Sequence, residues 1–224
     1  MPSLADNLAR VRERIAGAAR RAGRRPEEVS LVAVTKGQSL ETLRALRELG
    51  LRDFGENRVQ EALPKISAGL QDVRWHLIGH LQENKIYKVL PWVYMIQSID
   101  SLRLARAVDA RAERLGRSLP VLLEVKTAPE PTKHGIEPQE AVDAYAVLVE
   151  LARLEPQGLM TVGPLTRDVE AVRASFRTLR REYERLQRLD PAPHILSMGM
   201  SDDLEIAVEE GATMVRVGRA LVAP

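Results

Sequence analysis

Eight short apolar runs alternate along the chain with segments of helical periodicity. Several of these runs are continuously apolar, which is typical of strands buried on both faces of a parallel sheet. Eight β/α units within 224 residues predict an α/β fold, a single closed (β/α)8 TIM barrel. The predicted strands lie at residues 31–35, 53–54, 75–78, 94–97, 121–125, 158–161, 194–197 and 214–217.

An open doubly wound sheet is the main alternative to the barrel. That fold carries a glycine-rich fingerprint after its first strand, whereas Thr35-Lys36-Gly37-Gln38 occupies that place here. Helices are predicted at 57–66, 81–89, 102–115, 138–154, 168–189 and 202–210, with two more capped by Ser3 and Ser39. No outer helix is predicted after the last strand, and the additional N-terminal helix is expected to fill that gap in the ring.

Composition narrows the class of protein. The 33 basic and 31 acidic residues nearly cancel, and the absence of cysteine excludes disulfides and thiolate chemistry. The start of the chain lacks a signal-peptide pattern, and no run approaches the roughly 18 apolar residues of a membrane span. Glycine and proline are spread through short loops, so one domain over residues 1–224 is expected. These features predict a cytoplasmic protein without a membrane partner.

The arginine-rich stretch at residues 10–25 raises the question of nucleic acid. Its arginines alternate with Glu13 and with apolar positions, and no aromatic platform accompanies them. We interpret the stretch as a solvated helix face, and no nucleic-acid partner is predicted.

A lone lysine, Lys36, follows the first predicted strand. The carboxyl ends of the strands are where barrel active sites lie. Its neighbours Val34, Thr35 and Gly37 are uncharged, and a partly desolvated barrel mouth favours the free amine that forms imines. The plain alternative is a solvent-exposed lysine that happens to end a strand.

Two segments near the C-terminus resemble the halves of an anion site. The stretch from Ser197 through Gly199 and Ser201 follows strand seven and opens a helix, and Gly218 and Arg219 follow strand eight. Backbone N–H groups at a helix start bind anions, and barrels often hold phosphate at these two loops. Ser201 could instead be a plain N-cap. The carboxylates of residues 202 and 203 are expected to point away from the site.

An amine beside a phosphate cradle matches pyridoxal 5'-phosphate (PLP), which brings an aldehyde and a phosphate. Arg216 lies inside the last apolar strand and requires a partner, either a carboxylate or the pyridine nitrogen of that cofactor. Asn57 follows strand two and could face the site or cap a helix.

Histidines raise the question of a metal. His76 and His80 flank strand three, but the sequence suggests no third ligand, so no metal site is predicted. Lys133, His134 and Gly135 follow strand five in a proline-rich loop and are expected at the rim of the mouth.

Together these segments resemble the pyridoxal phosphate homeostasis protein family, which is alanine-racemase-like. The resemblance implies a racemase-type barrel with the cofactor on Lys36, phosphate contacts from Ser197, Ser201, Gly218 and Arg219, and Arg216 at the pyridine nitrogen. It also implies a protein that binds and buffers the cofactor in vitamin B6 and amino-acid homeostasis, with no established turnover. The resemblance rests on residues 31–36, 54–61, 75–85, 133–136, 158–160, 196–203 and 213–218.

The chain departs from the family pattern at two places. Lys126 stands where relatives often carry Asn, which puts a rim contact in doubt. The sequence given stops at Leu221-Val222-Ala223-Pro224, where relatives commonly continue, so a more exposed phosphate loop is expected.

Three functions compete for these residues. A racemase needs a second acid/base group on the opposite face of the substrate carbon, and racemases of this fold take a tyrosine from a second domain. A lysine-dependent aldolase shares the amine and the cradle but has no clear acid/base partner. The favoured prediction is a monomeric, non-catalytic PLP carrier that supplies PLP-dependent apoenzymes, with a racemase-like enzyme as the alternative. The four tyrosines with no obvious place at the site are Tyr87, Tyr94, Tyr145 and Tyr183.

Overall fold

The computed structural model describes residues 3–70, 72–130 and 133–222. Its eight parallel strands form a closed barrel in sequence order, with β8 pairing with β1, which confirms the predicted (β/α)8 architecture. The predicted domain spans residues 1–224, and its terminal residues Met1, Pro2, Ala223 and Pro224 lie outside the described residues. The strands are β1 (Ser30–Val34), β2 (Asp53–Glu56), β3 (Arg74–Leu77), β4 (Met95–Ile99), β5 (Leu119–Glu124), β6 (Leu154–Met160), β7 (Ile195–Ser197) and β8 (Met214–Val217).

Helices cover the outside of the barrel. Two predicted helices are shorter than expected: 81–89 is a 3₁₀ turn followed by a single α-turn, and 138–154 ends at Val149 because Leu154 already begins β6. The helices are α1 (Leu4–Arg21), α2 (Leu40–Glu48), α3 (Val59–Ser67), α4 (Ile86–Val89), α5 (Leu102–Arg114), α6 (Ala141–Val149), α7 (Val169–Leu189), α8 (Leu204–Glu209) and α9 (Arg219–Val222). Within the described ranges, no helix is long and apolar enough to cross a membrane.

The N-terminal helix packs beside the last β/α unit. Ser3 and Asp6 form a capping box at its start, as the sequence predicts. Arg14 forms an ion pair with Glu205 of α8, and Asn7 Nδ2 donates to the carbonyl of Leu221 at 3.2 Å. The expectation that no helix follows β8 is wrong, since the one-turn helix α9 follows β8 and packs against α1.

Side-chain alternation along β2 decides which residues enter the barrel. Phe54 stacks edge-on against Trp75 in the outer layer, so Glu56, two residues on, also faces the helices. Gly55 and Asn57 therefore face the interior. A Cβ on Gly55 would lie 3.0 Å from the Val32 side chain, so the small residue leaves room for the apolar interior. That interior cluster is Val32, Met95, Leu122, Met160, Ile195 and Met214.

Candidate functional site

Lys36 stands at the tip of a tight turn that leaves β1 at the carboxyl end of the barrel. The Gln38 N–H donates to the Thr35 carbonyl at 3.0 Å, and Gly37 adopts a φ of +70°. Glycine accepts that conformation without steric cost, which is why the turn has glycine at its third position. Lys36 is exposed and makes no hydrogen bond or ion pair within the described residues. The expected desolvated setting is therefore wrong for this structure, and the role of the exposed Lys36 amine remains a prediction.

A buried ion pair anchors the base of this turn. Lys65 of α3 donates to the Thr35 carbonyl at 2.6 Å and to Glu56 Oε1 at 2.7 Å. The Thr35 hydroxyl donates to the same carboxylate oxygen at 2.5 Å. Glu56 is fully buried, so loss of Lys65 would leave an uncompensated charge. The sequence shows Lys65 only as one more lysine on a predicted helix. In the structure the Lys65 amine donates to two acceptors, whereas the Lys36 amine has no partner among the described residues.

The loops after β7 and β8 meet the Lys36 turn at the mouth. A Cβ on Gly218 would lie 3.2 Å from the carbonyl oxygen of Val34, so only a small residue fits there without displacing β1. The Ser201 hydroxyl accepts from the N–H of Ala220 at 3.1 Å, which ties the two loops together. These contacts place the Lys36 turn, Ser201 and the Gly218–Arg219 step beside one another, and their role as an anion cradle remains a prediction.

The start of α8 differs from the sequence expectation. The helix begins at Leu204, preceded by Asp203, so the alternative reading of Ser201 as its N-cap is wrong. Asp202 pairs with the exposed Arg219. Asp203 does not point away: its carboxylate is mostly buried and accepts from the Met200 N–H at 2.5 Å. Burial raises the pKa of Asp203 above its usual value, against the lowering effect of that hydrogen bond.

Gly199 has a steric role in the same loop. Its φ is +94°, and a Cβ there would lie 2.4 Å from the Cβ of Ala207 on α8. Any side chain at this position would strain the backbone and push the helix away. Gly199 therefore allows α8 to approach the loop that carries Ser201.

Arg216 and Ser197 lie inside the barrel, below these loops. Arg216 Nη1 donates to the Ser197 hydroxyl at 2.7 Å, and Nη2 donates to the Thr161 carbonyl at 2.8 Å. The Ser197 hydroxyl in turn donates to Gln97 Oε1 at 2.8 Å. Ser197 is thus engaged within the barrel and not beside Ser201, and its predicted phosphate contact remains a prediction.

The hydrogen-bond chain continues to the amino end of the barrel. Gln97 Nε2 lies 3.0 Å from His76 Nδ1, and His76 Nε2 lies 2.9 Å from Asp53 Oδ1. Because the amide nitrogen can only donate, the His76 proton belongs on Nε2, facing Asp53. His76 is buried by this pairing and cannot join His80 in the zinc pair that the sequence raised. Gln97 and Thr161 were not predicted; a glutamine within an apolar barrel strand is the signal that could have identified Gln97.

The mouth holds two buried groups with shifted pKa values. Burial lowers the pKa of Arg216 to about 10, partly offset by the carboxylates of Glu124 and Asp203, so its guanidinium stays charged at neutral pH. Burial raises the pKa of Glu124 to about 7, and the Asp100 carboxylate raises it further, against the cations Arg216 and Lys133. Glu124 is thus a carboxyl group that titrates near neutrality inside the mouth.

Asn57 lies at the carboxyl end of β2 and faces inward. Its Oδ1 is buried and has no hydrogen-bond partner within the described residues. The α3 helix begins at Val59 with Arg58 as its N-cap, so the alternative role of Asn57 as helix cap is wrong. The Asn57 backbone approaches Gly79 so closely that a Cβ there would lie 2.4 Å from its carbonyl oxygen.

Lys126 and Lys133, two further lysines near the mouth, already have partners. Lys133 Nζ donates to the Gly163 carbonyl at 3.1 Å, and Lys126 Nζ lies 3.8 Å from a Glu137 carboxylate oxygen. Lys126 therefore holds an ion pair at the rim.

Comparisons with known proteins show which family the chain resembles. The family described as the alanine racemase N-terminal domain matches residues 6–223. The pyridoxal phosphate homeostasis protein of Aquifex aeolicus (strain VF5) is 42% identical over 219 residues, which cover 96% of either chain. The protein of that name from Escherichia coli (strain K12) is 39% identical over 99% of this chain and 96% of its own.

Solved structures show the same likeness. PipY of Synechococcus elongatus PCC7942, solved with PLP bound, has a TM-score of 0.85 at 37% identity and covers 98% of this chain and 99% of its own. An alanine racemase of Clostridium difficile 630 has a TM-score of 0.80 at 17% identity, and the match covers 97% of this chain but 56% of that one. At that identity the racemase shows the fold alone.

The fold and its mouth thus define a barrel of the alanine racemase N-terminal class. Within that class, the match over nearly the full length of relatives about 40% identical decides the family. The chain belongs to the pyridoxal phosphate homeostasis protein family.

The raised pKa of Glu124 predicts a pH-dependent stability. An acid whose pKa is higher in the folded than in the unfolded state stabilises the fold below its unfolded pKa of about 4.5 and loses that contribution as pH rises through about 7. Glu124→Gln removes this loss. Relative to wild type, the variant should gain about 2 kcal/mol in free energy of unfolding between pH 5 and pH 8. Urea denaturation of the PLP-free protein at both pH values measures it.

The exposed Glu155 provides the matched control, because Glu155→Gln removes a solvated carboxylate of the same barrel. A gain for Glu124→Gln that is the same at pH 5 and pH 8 would show that the Glu124 carboxyl is not neutral in the folded protein.

Proposed function

We propose that this chain binds PLP through Lys36 and serves PLP and amino-acid homeostasis as a carrier of the cofactor. The observation that carries the proposal is an unpaired lysine amine on a glycine turn, packed beside the loop step Gly218–Arg219 and the hydroxyl of Ser201. The cofactor of the PipY structure and the names of the relatives point to the same ligand. When bound, PLP supplies an aldehyde that condenses with a primary amine.

The residues present fit such a ligand. Lys36 offers the exposed amine, and the buried Oδ1 of Asn57 has an unused acceptor position beside β1. Ser201 and the backbone at Gly218 would hold the phosphate, since the Ser201 oxygen accepts from the Ala220 N–H and its own O–H is free to donate. Arg219 would join them by exchanging Asp202 for the phosphate, since its guanidinium lies on the surface. Gly199 keeps the loop close to α8.

Arg216 would set the electronic character of the site. Its charge is held inside the barrel by Ser197 and Thr161, and Ser197 is held in turn by Gln97. A guanidinium that stays charged at neutral pH donates hydrogen bonds and cannot give up a proton to a pyridine nitrogen. A ring nitrogen facing Arg216 would therefore remain unprotonated, which weakens the ring as an electron sink and disfavours proton abstraction at a bound amino acid.

The tyrosines favour a carrier over a racemase. Tyr145 and Tyr183 donate to the carbonyls of Pro156 and Pro193 in the outer layer. Tyr94 contacts Arg74 and His76 near the amino end of the barrel. Tyr87 lies exposed on α4. None of the four occupies the mouth, so no tyrosine provides the second acid/base group.

Further features of the proposal concern the whole chain. We propose that residues 1–224 act as one domain, as a monomer in the cytoplasm, and that PLP-dependent apoenzymes receive the cofactor. The closed ring of eight strands supports the single domain, because each strand already pairs with two neighbours.

Lys36→Ala should abolish retention of PLP after desalting and the borohydride-fixed adduct, because it removes the only unpaired amine beside the cradle among the described residues. Visible absorption and peptide mapping measure both quantities. Lys126→Ala is the matched control, since it removes a rim lysine without touching the turn. An adduct that maps to Lys65, Lys126 or Lys133 in the wild-type protein would contradict the assignment.

Ser201→Ala should weaken PLP binding about 10- to 100-fold, since a hydrogen bond to a charged group contributes about 1.5–3 kcal/mol. Pyridoxal, which lacks the phosphate, should bind almost unchanged. Titration of both ligands measures the difference, and Ser67→Ala on α3 is a control for an exposed hydroxyl. Equal losses for PLP and pyridoxal would place the phosphate elsewhere.

The carrier hypothesis predicts that L-alanine is not racemised at an enzyme-like rate by the PLP-loaded protein. Ordinary enzymes turn over about 1–1000 times per second, and we expect α-proton exchange to be orders of magnitude slower. Incubation in deuterated water followed by chiral analysis measures it. Racemisation in the ordinary range would restore the racemase alternative.

A further inference from the structure

Three loops on the side of the mouth formed by β3, β4 and β5 bring together two histidines and one aspartate. His80 follows β3, Asp100 follows β4, and His134 lies in the loop after β5. One ligand atom from each side chain lies within 4.8 Å of the others. These are nitrogen and oxygen donors of the kinds that bind divalent transition metals.

The distances show how the three groups are arranged. His80 Nδ1 lies 2.6 Å from Asp100 Oδ2, and His134 Nδ1 lies 3.9 Å from the same oxygen. The two imidazole rings stack with their centroids 4.0 Å apart. Around a tetrahedral zinc ion the donor atoms would be about 3.3 Å apart, given bonds of about 2.0–2.1 Å. Metal binding would therefore lengthen the His80–Asp100 distance and shorten the His134–Asp100 distance, and the two imidazole rings would no longer be stacked.

Burial makes the aspartate the unusual member of the group. The side chain of Asp100 is only 9% exposed, whereas those of His80 and His134 are 42% and 54% exposed. Within the described ranges, the only polar partners of its carboxylate are these two imidazoles. Asp100 is also close enough to Glu124 to raise the pKa of that carboxyl group. A nearly buried carboxylate beside a second one is a setting that a cation would stabilise.

The space beside the cluster is open to solvent ligands. A cavity of about 320 Å³ adjoins His80 and Asp100 and is also lined by Gln82, Glu83 and Ser101. Three protein donors and an open position are the arrangement of an exchangeable zinc site, whereas structural zinc sites are closed by four protein ligands.

We propose that His80, Asp100 and His134 form a binding site for a divalent transition metal ion, with zinc as the ion that suits the donors best. Water completes the coordination from the adjoining cavity. The site is separate from the proposed PLP residues, which belong to β1, β2, β7 and β8 and the loops that follow them. The sequence predicted no metal site, because the only pair it offered was His76 with His80; the fold turns His76 into the barrel and brings Asp100 and His134 to His80 instead.

Equilibrium dialysis of the purified wild-type protein against zinc chloride, with inductively coupled plasma detection, tests this site. We expect one zinc ion per chain at micromolar free metal. His80→Gln, Asp100→Asn and His134→Gln should each weaken binding at least about tenfold, the lower end of losses seen even for groups that only support a ligand. Cobalt chloride gives a second readout, since bound Co²⁺ should show visible absorption bands that the three variants lack.

Matched variants separate the site from other causes. His194→Gln removes an exposed histidine at the opposite end of the barrel, and Asp72→Asn removes an exposed aspartate; both should bind zinc as wild type does. Lys36→Ala should also retain zinc, so failure of the PLP proposal leaves this one standing. Circular dichroism without metal confirms that each variant is folded. Sub-stoichiometric binding by wild type, or equal zinc affinity in Asp100→Asn, would overturn the proposal.

Discussion

The charge of Arg216 in the centre of the barrel is the constraint on which the mouth depends. A guanidinium removed from water requires several acceptors, since an unpaired buried charge costs more than the fold can sustain. Thr161 and Ser197 are these acceptors. The Ser197 oxygen is free to accept from Arg216 because its own O–H donates a hydrogen bond to Gln97. From Gln97 the hydrogen bonds continue through His76 to Asp53 at the other end of the barrel, so each polar side chain in this row has a partner. These hydrogen bonds fix the direction of the Arg216 side chain and therefore the position of its positive charge in the mouth.

The second support of the site is the close approach of backbone segments. Gly37 lets the Lys36 turn reverse, Gly199 lets α8 approach, and Gly218 lets β8 leave the barrel beside Val34. The buried pair of Glu56 and Lys65 then anchors the turn from outside the barrel. The site amine is thus carried on a rigid base while its own side chain stays exposed. Such an arrangement fits the proposed uptake and release of PLP.

Much of the fold and part of the site could be predicted from local patterns. Apolar runs with intervening amphipathic helices indicated the parallel barrel, and the lysine after β1 followed from the position of active sites in such barrels. The bounds of some helices differ from the prediction, because a helix must end before the next strand begins. The helix predicted to reach residue 154 ends at Val149, since Leu154 begins β6. The partners of Ser197 could not be predicted, since Gln97 lies 100 positions away and Arg216 lies on another strand. The burial of Asp203 depends on how its loop packs in the folded barrel.

The sequence by itself determined the eight β/α units, the basic residues Lys36 and Arg216 at strands one and eight, and the glycines that follow those strands. These are consequences of residue type and spacing along the chain. Only the tertiary structure decided that His76 faces Asp53 and Gln97 while His80 faces Asp100 and His134. The same applies to the choice between Lys65 and Lys36 as the available amine. The physical reason is that barrel closure brings residues from distant strands to one level, and the hydrogen bonds they make there depend on distance in space and not along the chain.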